Sequence, residues 1–398
     1  MAKRVLVINI GWEQEPLIKL LINKGHELYG ITSDINNDNI TNQYFKKIFQ
    51  SDYRDLDNIF NIAKTINPDA VVSDQCDYSH FAQSYLAERL GLKGPNLANA
   101  QISSNKFVQR QTANKHGVLI PKFTLVYNYI EAVNACKEIG YPVIIKPIDN
   151  RGSFGVSKVN NIQELQNYYY TAIANSNSRF VLIEEFIDGY EITVDGYCFE
   201  GEPKSLTVAK KSKEGCGSQV SMDIKYPAEI PDDIYTNALK NNEFVNKVLG
   251  YTFGMTHSEY MVTNNGLIYL IESANRGGGV FTSEIIVPNV SGVNILERYI
   301  DDIFGDNSNI TTPDILEKNE VILKFFSFRP GKIKNIIGMD QVIQERGVLQ
   351  CRLNVKIGDE IQPISNDGNR HGFIIFKSQT EIRKKVDNII QKISINYE

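Results

Sequence analysis

The sequence predicts a chain of mixed α/β and α+β class, divided into two or three domains. Three observations carry that prediction. The length, 398 residues, exceeds what one core of about 150 residues organises. The first ninety residues alternate short β-type runs with helical ones, and residues 321–393 open with β-rich runs.

Residues 4–10 (RVLVINI) form a continuous apolar run of buried-strand type. A helical stretch follows at 16–23, a strand at 27–31, a helix at 56–66, a strand at 70–73 and a helix at 81–90. This βαβ rhythm implies a parallel sheet covered on both faces, a Rossmann-like domain over 1–100. A single glycine, Gly11, follows the first strand where a dinucleotide fold would carry G-x-G-x-x-G, so no NAD site is expected. The polar stretch 35–42 (INNDNITN) reads as a surface loop.

Residues 91–104 (GLKGPNLANAQISS) collect Gly, Pro, Asn and Ser and read as a domain boundary. A helix starts next, with Ser103 or Ser104 as N-cap and Lys106 in its first turn. The second block, 101–305, holds strands at 143–147, 180–184 and 191–199, helices at 232–249 and up to about 303, and a polar loop at 210–221 (KKSKEGCGSQVS) of mobile type. Residues 306–312 (DNSNITT) read as a linker. The third block, 306–398, is a β-rich lobe with an amphipathic helix from about 380, packed on the second.

With 42% apolar residues and 40 aromatics the chain has ample material for its cores. The net charge of −5 is spread without basic or acidic blocks, which argues against a nucleic-acid backbone or membrane surface as partner but leaves room for a small phosphate in a local basic pocket. Five scattered cysteines without a C-x-x-C pair suggest neither a disulfide framework nor a zinc knuckle. No apolar run reaches the ~20 residues of a membrane span, and the short N-terminal run lacks the features of a signal peptide. A cytoplasmic location is expected.

Four segments could carry chemistry. In the first, GMTHSEYMVTN and LIYLIES flank Asn265-Gly266, the preferred pair for a two-residue type I′ turn. In that register Glu259 faces Glu272, their Cβ atoms ~5 Å apart on one face. Two bare carboxylates there would repel, and a hard cation such as Mg²⁺, with phosphates and water as its other ligands, would hold them together. A solvated face with two mobile glutamates, or a shared proton, are the alternatives.

The second segment is KPIDNRGSFGV, in which a strand ends at Lys146 and passes into a loop with Ser153, Phe154 and Gly155. Small residues let backbone N–H groups approach phosphate oxygens, with Lys146 as a point charge, although a plain turn has the same composition. The third is VLIEEFIDGYEITVDGY, where Glu184, Glu185 and Glu191 border apolar strands. Such acids can accept hydrogen bonds from a base or a ribose, and Phe186 and Ile187 offer a dry wall; surface charge is the alternative. The fourth is Arg276 in ESANRGGGVF, able to clamp a carboxylate or phosphate in bidentate fashion beside glycines that leave room, or else an exposed arginine in a flexible turn.

In this order and spacing, SNKFVQRQTANKHGVLIP, the KPIDNRGSFGV segment, EEFIDGYE and THSEYMVTNNGLIYLIESANRGGG resemble the ATP-grasp superfamily, the match running from about residue 5 to 394. The resemblance implies an ATP-grasp fold with an N-terminal preATP-grasp domain and a C-terminal β-rich lobe. It also implies an ATP-dependent carboxylate–amine ligase that activates its acid as an acyl phosphate, releasing ADP and phosphate. Lys106 and Lys146 would contact the ATP phosphates, with Ser153, Phe154 and Gly155 closing over them. Glu184 would meet the adenine amino group, Glu185, Phe186 and Ile187 would form the adenine hinge, and Glu191 would bind the ribose. Glu259 and Glu272 would ligate Mg²⁺ or Mn²⁺.

Arg276 would be the catalytic arginine, lining the pocket of small carboxylate and amine substrates with His257 and Gly278. Many relatives carry a metal-binding asparagine two residues after the second acid; here Ala274 stands there and Asn275 follows, a pattern more like the L-amino-acid ligase and carbamoyl-phosphate-synthase-like branch. The resemblance further implies a homodimer. A purine-pathway type of ligase or carboxylase, and a nucleotide-binding regulator without turnover, are its rivals.

Overall fold

The computed structural model describes residues 2–34, 40–150, 152–213, 220–306 and 319–398. The first domain follows the expected rhythm. Strands Arg4–Ile8, Glu27–Thr32 and Ala70–Val72 are parallel, and a fourth, Phe45–Gln50, extends the sheet at one edge. Helices Glu15–Asn23, Leu56–Ile66 and Asp77–Leu90 accompany it. The expected boundary loop at 91–104 is in part helical: Asn96 accepts from the N–H groups of Ala98 and Asn99 and starts the helix Leu97–Ser103.

A four-stranded antiparallel sheet follows, in the order Phe123–Val126, Val181–Glu185, Val143–Pro147, Ser157–Val159. Helices Tyr129–Ile139 and Ile162–Ala174 cover it through Ala132, Ala135, Leu165, Tyr169 and Ala172.

The largest element is an eight-stranded sheet. Its order is Ile268–Ala274, Gly254–Val262, Tyr190–Phe199, Glu202–Ser212, Asp223–Tyr226, Glu320–Phe325, Gly372–Ser378, Val348–Leu353. It therefore runs from the glutamate hairpin into the C-terminal lobe: Asp223–Tyr226 pairs with Glu320–Phe325 in continuous antiparallel register. The C-terminal segment prolongs the central sheet besides packing on it. The linker expected at 306–312 lies outside the described residues from 307 onward.

The first domain also shares a core with the centre. Val5, Val7, Leu17, Ile18 and Leu21 pack in one cluster with Tyr197, Met255, Tyr299 and Ile300, the last two on the helix Ile295–Phe304. The C-terminal helix Ile382–Ile390 sits where expected, followed by an unforeseen strand, Ser394–Tyr397, paired with Gly331–Ile337. Among the described residues no helix is long and apolar enough to cross a membrane.

Candidate active site

Glu259 and Glu272 face each other across the hairpin, as the sequence led us to expect, but the turn differs. The Thr263 N–H donates to the Leu267 carbonyl at 3.0 Å and the Gly266 N–H to the Thr263 carbonyl at 2.9 Å, enclosing a three-residue loop with Gly266 at φ +80°. This is the turn that ends in a left-handed residue rather than type I′. It slips the pairing by one, so that Tyr260 faces Leu270; the additional residue Ile271 then bulges and restores the register before Glu272. The bulged Ile271 carbonyl accepts from Arg110 Nη2.

Each of these acids is paired with its own lysine. Lys106 Nζ lies 2.9 Å from Glu272 Oε1 and donates to the Asn150 carbonyl at 2.6 Å. Lys211 Nζ lies 2.5 Å from Glu259 Oε1 and 2.6 Å from Glu191 Oε1, while Lys213 Nζ is 3.2 Å from Glu191 Oε2. The two facing glutamate side chains are only about a quarter exposed (27% and 26%), so they are not a freely solvated pair. Burial would raise the Glu259 carboxyl, yet Lys211 and His257 hold it well below the usual carboxylate range. Burial likewise opposes the Lys106 ammonium, and Glu272 outweighs it.

Two glutamate side chains on one strand pair offer the hard oxygen donors that Mg²⁺ favours. Among the described residues no group of three or more His, Cys, Asp or Glu could hold a metal, so a cation here needs oxygens from elsewhere, as phosphate and water would supply.

Lys106 opens the helix Lys106–Lys115, capped by Asn105, which accepts from the Phe107 and Val108 N–H groups at 3.1 Å each, and not by Ser103 or Ser104. On the next turn Gln109 donates to the Ser273 carbonyl at 2.6 Å and accepts its N–H at 2.9 Å. Arg110, fully buried, places Nε 2.7 Å from Glu184 Oε1, and Lys146 Nζ sits 2.6 Å from Glu184 Oε2.

Glu184, expected at the adenine amino group, thus has each oxygen on a buried cation and is itself 2% exposed. Burial depresses Lys146 and Arg110 adds to this; Glu184 opposes them, leaving the lysine at about 8. Beyond it the hinge backbone is tied down: the Glu185 N–H donates to the Lys122 carbonyl at 2.9 Å and the Phe186 N–H to the Pro142 carbonyl at 3.3 Å. Lys158 Nζ stands 3.7 Å above the Phe186 ring, and Ile187 is buried.

The glycine loop is folded toward the C-terminal lobe. Ser153 is left-handed (φ +61°), and at Gly155 (φ +74°) a Cβ would come within 2.9 Å of Asn175 Cβ. The Gly152 carbonyl accepts from the Asp367 N–H at 3.2 Å, and the Phe154 ring lies against Gly368. Arg151 is outside the described residues, as are 214–219 of the expected polar loop; residues 210–212 of that loop belong to the strand Glu202–Ser212.

Arg276 meets a carboxylate of the first domain: its Nε and Nη2 lie 2.7 and 2.8 Å from the two oxygens of Asp77, and Nη1 donates to the Gly277 carbonyl at 2.8 Å. His257 Nδ1 is 2.7 Å from Asp195 Oδ1, Tyr226 donates to Asp195 Oδ2 at 2.8 Å, and His257 Nε2 lies 3.7 Å from Glu259. Burial disfavours the imidazolium, but Asp195 and then Glu259 outweigh it and raise His257 to about 9. Gly278 packs on this ring: a Cβ there would stand 2.8 Å from Nδ1. Asn275 turns away and donates to the Phe253 and Met255 carbonyls at 2.8 and 3.1 Å.

Four residues here escaped the sequence reading: Asp77, Arg110, Asp195 and Lys211. A signal existed for Arg110, four residues after Lys106 and so on the same helix face. Asp77, Asp195 and Lys211 carried none beyond their charge.

Comparison with known proteins agrees with this architecture. The family profile of the ATP-grasp domain matches residues 139–284, and that of the L-amino acid ligase C-terminal domain 2 matches residues 324–398. An uncharacterised protein of Sinorhizobium fredii is 23% identical over 77% of this chain and 63% of its own length, so this chain spans less than two thirds of that relative. An L-arginine-specific L-amino acid ligase of Bacillus subtilis is 21% identical over 70% of this chain and 67% of its own.

Among solved structures, an L-amino acid ligase from Bacillus licheniformis superposes with a TM-score of 0.83 at 18% identity, covering 100% of this chain and 99% of that one. The biotin carboxylase domain of the Hydrogenobacter thermophilus 2-oxoglutarate carboxylase, in complex with MgADP and bicarbonate, gives 0.80 at 18% identity, covering 100% and 91%. The chain therefore has the ATP-grasp fold, with an ATP-grasp domain match followed by a match to an L-amino acid ligase C-terminal domain.

Proposed function

We propose that this protein is an ADP-forming ligase that activates a small carboxylate, an amino acid by analogy with its relatives, as an acyl phosphate and joins it to an amine. The observation that carries this reading is the convergence, around one hairpin, of two opposed carboxylates with Lys106 and Lys211 beside them and His257 on the same strand. Phosphoryl transfer asks little covalent chemistry of a protein and much positioning and charge neutralisation, which is what these side chains offer.

In this reading Glu259 and Glu272 hold the divalent cation, Mg²⁺ or Mn²⁺, which supplies charge neutralisation at the phosphates. Lys106 and Lys146 bear on the phosphates under the loop with Ser153, Phe154 and Gly155. The hinge Glu185, Phe186 and Ile187 walls the adenine, and Glu191 takes the ribose. Glu184 holds Lys146 and Arg110 in place, so its part in adenine recognition is secondary to that of a counter-ion. Arg276 keeps two N–H donors beyond those turned to Asp77 and Gly277 and presents them to the acyl substrate, beside His257 and Gly278.

The test is a panel of amino acids and other carboxylates crossed with amines, scored by ADP and phosphate release, with hydroxylamine as trap. An acyl phosphate route gives a hydroxamate with ADP. Release of AMP and pyrophosphate instead would remove the acyl phosphate from the mechanism. Arg276→Ala should impair use of the acid far more than ATP affinity; the reverse pattern would move that residue to the nucleotide.

A further inference from the structure

Three carboxylates, Glu191, Glu259 and Glu272, are ion-paired with three ammonium groups, Lys106, Lys211 and Lys213, at 2.5 to 3.2 Å. Lys106 and Lys211 are largely buried, each side chain 10% exposed, so neither can give up its partner to bulk water without loss. Lys211 occupies a particular place in this set. Its Nζ spans Glu191 and Glu259, the acids proposed for the ribose and the metal. The polyphosphate chain of a bound nucleotide joins those two points and must pass where this ammonium stands.

We propose that Lys211 is a further triphosphate-binding residue and that, with Lys106, it acts as an exchangeable counter-ion, so that divalent cation and nucleoside triphosphate are taken up together. The proposal rests on the ATP and metal reading of Glu191, Glu259 and Glu272. Glu259 and Glu272 can receive a cation only by giving up Lys106 and one of the two contacts of Lys211, and both ammonium groups then call for new anions. A cation alone takes Lys106 off its carboxylate and leaves Lys211 on Glu191 alone, and a triphosphate alone meets carboxylates still in place. When both arrive, each carboxylate trades an ammonium for the cation and each lysine trades a carboxylate for a phosphate oxygen, and no buried charge is left unpaired.

The test is binding, independent of turnover. Mn²⁺ binding to the full chain is followed by electron paramagnetic resonance with and without the non-hydrolysable triphosphate AMP-PNP, corrected for the complex formed in solution. The expected result is at least a tenfold gain in Mn²⁺ affinity in its presence, and the same factor for AMP-PNP when Mn²⁺ replaces EDTA, since coupling is reciprocal. Lys211→Gln should bind Mn²⁺ alone more tightly than wild type and AMP-PNP at least tenfold more weakly, with AMP affected less than threefold. Lys211→Arg, which keeps the charge, should keep the coupling.

Equal Mn²⁺ affinity with and without AMP-PNP in the wild type overturns the proposal and needs no variant to fold. Equal loss of AMP and AMP-PNP in Lys211→Gln also overturns it, because the lysine would then act through Glu191 on the ribose. Failure of the wild type to bind AMP-PNP with Mn²⁺ at all removes the underlying ATP reading, a result distinct from both.

Discussion

Glu184→Gln tests the buried charge arrangement most directly. The carboxylate sits between Arg110 and Lys146, and all three side chains are at least 95% buried. Its removal leaves two cations facing each other. Leaving the buried Arg110 guanidinium without its partner costs about 3–5 kcal/mol. Lys146 has another way out. In the wild type it titrates at about 8, and without Glu184 the remaining influences, burial and Arg110, both push it lower.

At pH 7 the variant therefore discharges Lys146, forfeiting the ~1.4 kcal/mol that protonation contributes to the wild type one pH unit below its pKa. The total is ~4–6 kcal/mol at pH 7. At pH 9.5 wild-type Lys146 is itself neutral and that share vanishes, so the penalty shrinks by about 1.4 kcal/mol. The sign follows from a lysine whose folded pKa lies below its unfolded one: its burden on the wild type is greatest below pH 8 and lifts as pH rises toward 10.5. Urea unfolding of both proteins at the two pH values measures the difference. A penalty that stays constant between pH 7 and 9.5, or that falls below ~1 kcal/mol at both, would refute the reasoning.

Three other outcomes follow from the site. Glu272→Gln should lower ADP release on the order of 100-fold or more, with the circular dichroism spectrum unchanged; undiminished turnover would dismiss the metal assignment. Asp77→Asn frees Arg276 from its fork and should raise KM for the acid about tenfold while KM for ATP stays within about twofold, measured in the same coupled assay. Gly368→Val places side-chain atoms where a Cβ alone would already come within 2.8 Å of Phe154, so kcat should fall and the added substitution Phe154→Ala should recover it; no recovery would disconnect the glycine loop from that turn.

What could be read from the sequence was what lies contiguous in it. Glu259, Glu272 and Arg276 fall within one hairpin and its exit, so strand pairing alone related the two acids. Even there the correct pair came from an incorrect turn, because the longer loop and the bulge at Ile271 offset each other, and neither leaves a separate trace in the residue pattern. The partners that define the site's electrostatics come from far away: Arg110 is 74 residues from Glu184, Asp77 is 199 from Arg276, and Lys211 is 48 from Glu259.

The fold shows the same division. The buried strand Arg4–Ile8 announces itself, whereas Phe45–Gln50, with lysines at 46 and 47 on the sheet's edge, hides its pairing. Helices Tyr129–Ile139 and Ile162–Ala174 could have been read from Asn128 and Asn161, each followed three residues later by a glutamate whose N–H it accepts.

The exchange between Gln109 and Ser273 has a further meaning. The strand Ile268–Ala274 is the last of its sheet, and its outer row of peptide groups would ordinarily invite a strand from another molecule. A side-chain amide gives and takes there as a ninth strand's peptide would, and Arg110 and the Leu119 carbonyl occupy neighbouring places along the same border. The helix that presents Lys106 thus doubles as the guard of an aggregation-prone margin. Shifting it bodily would bare that margin, so substitutions that loosen its attachment threaten the solubility of the protein before they alter its chemistry, and rearrangement around Lys106 falls to flexible side chains on a stationary frame.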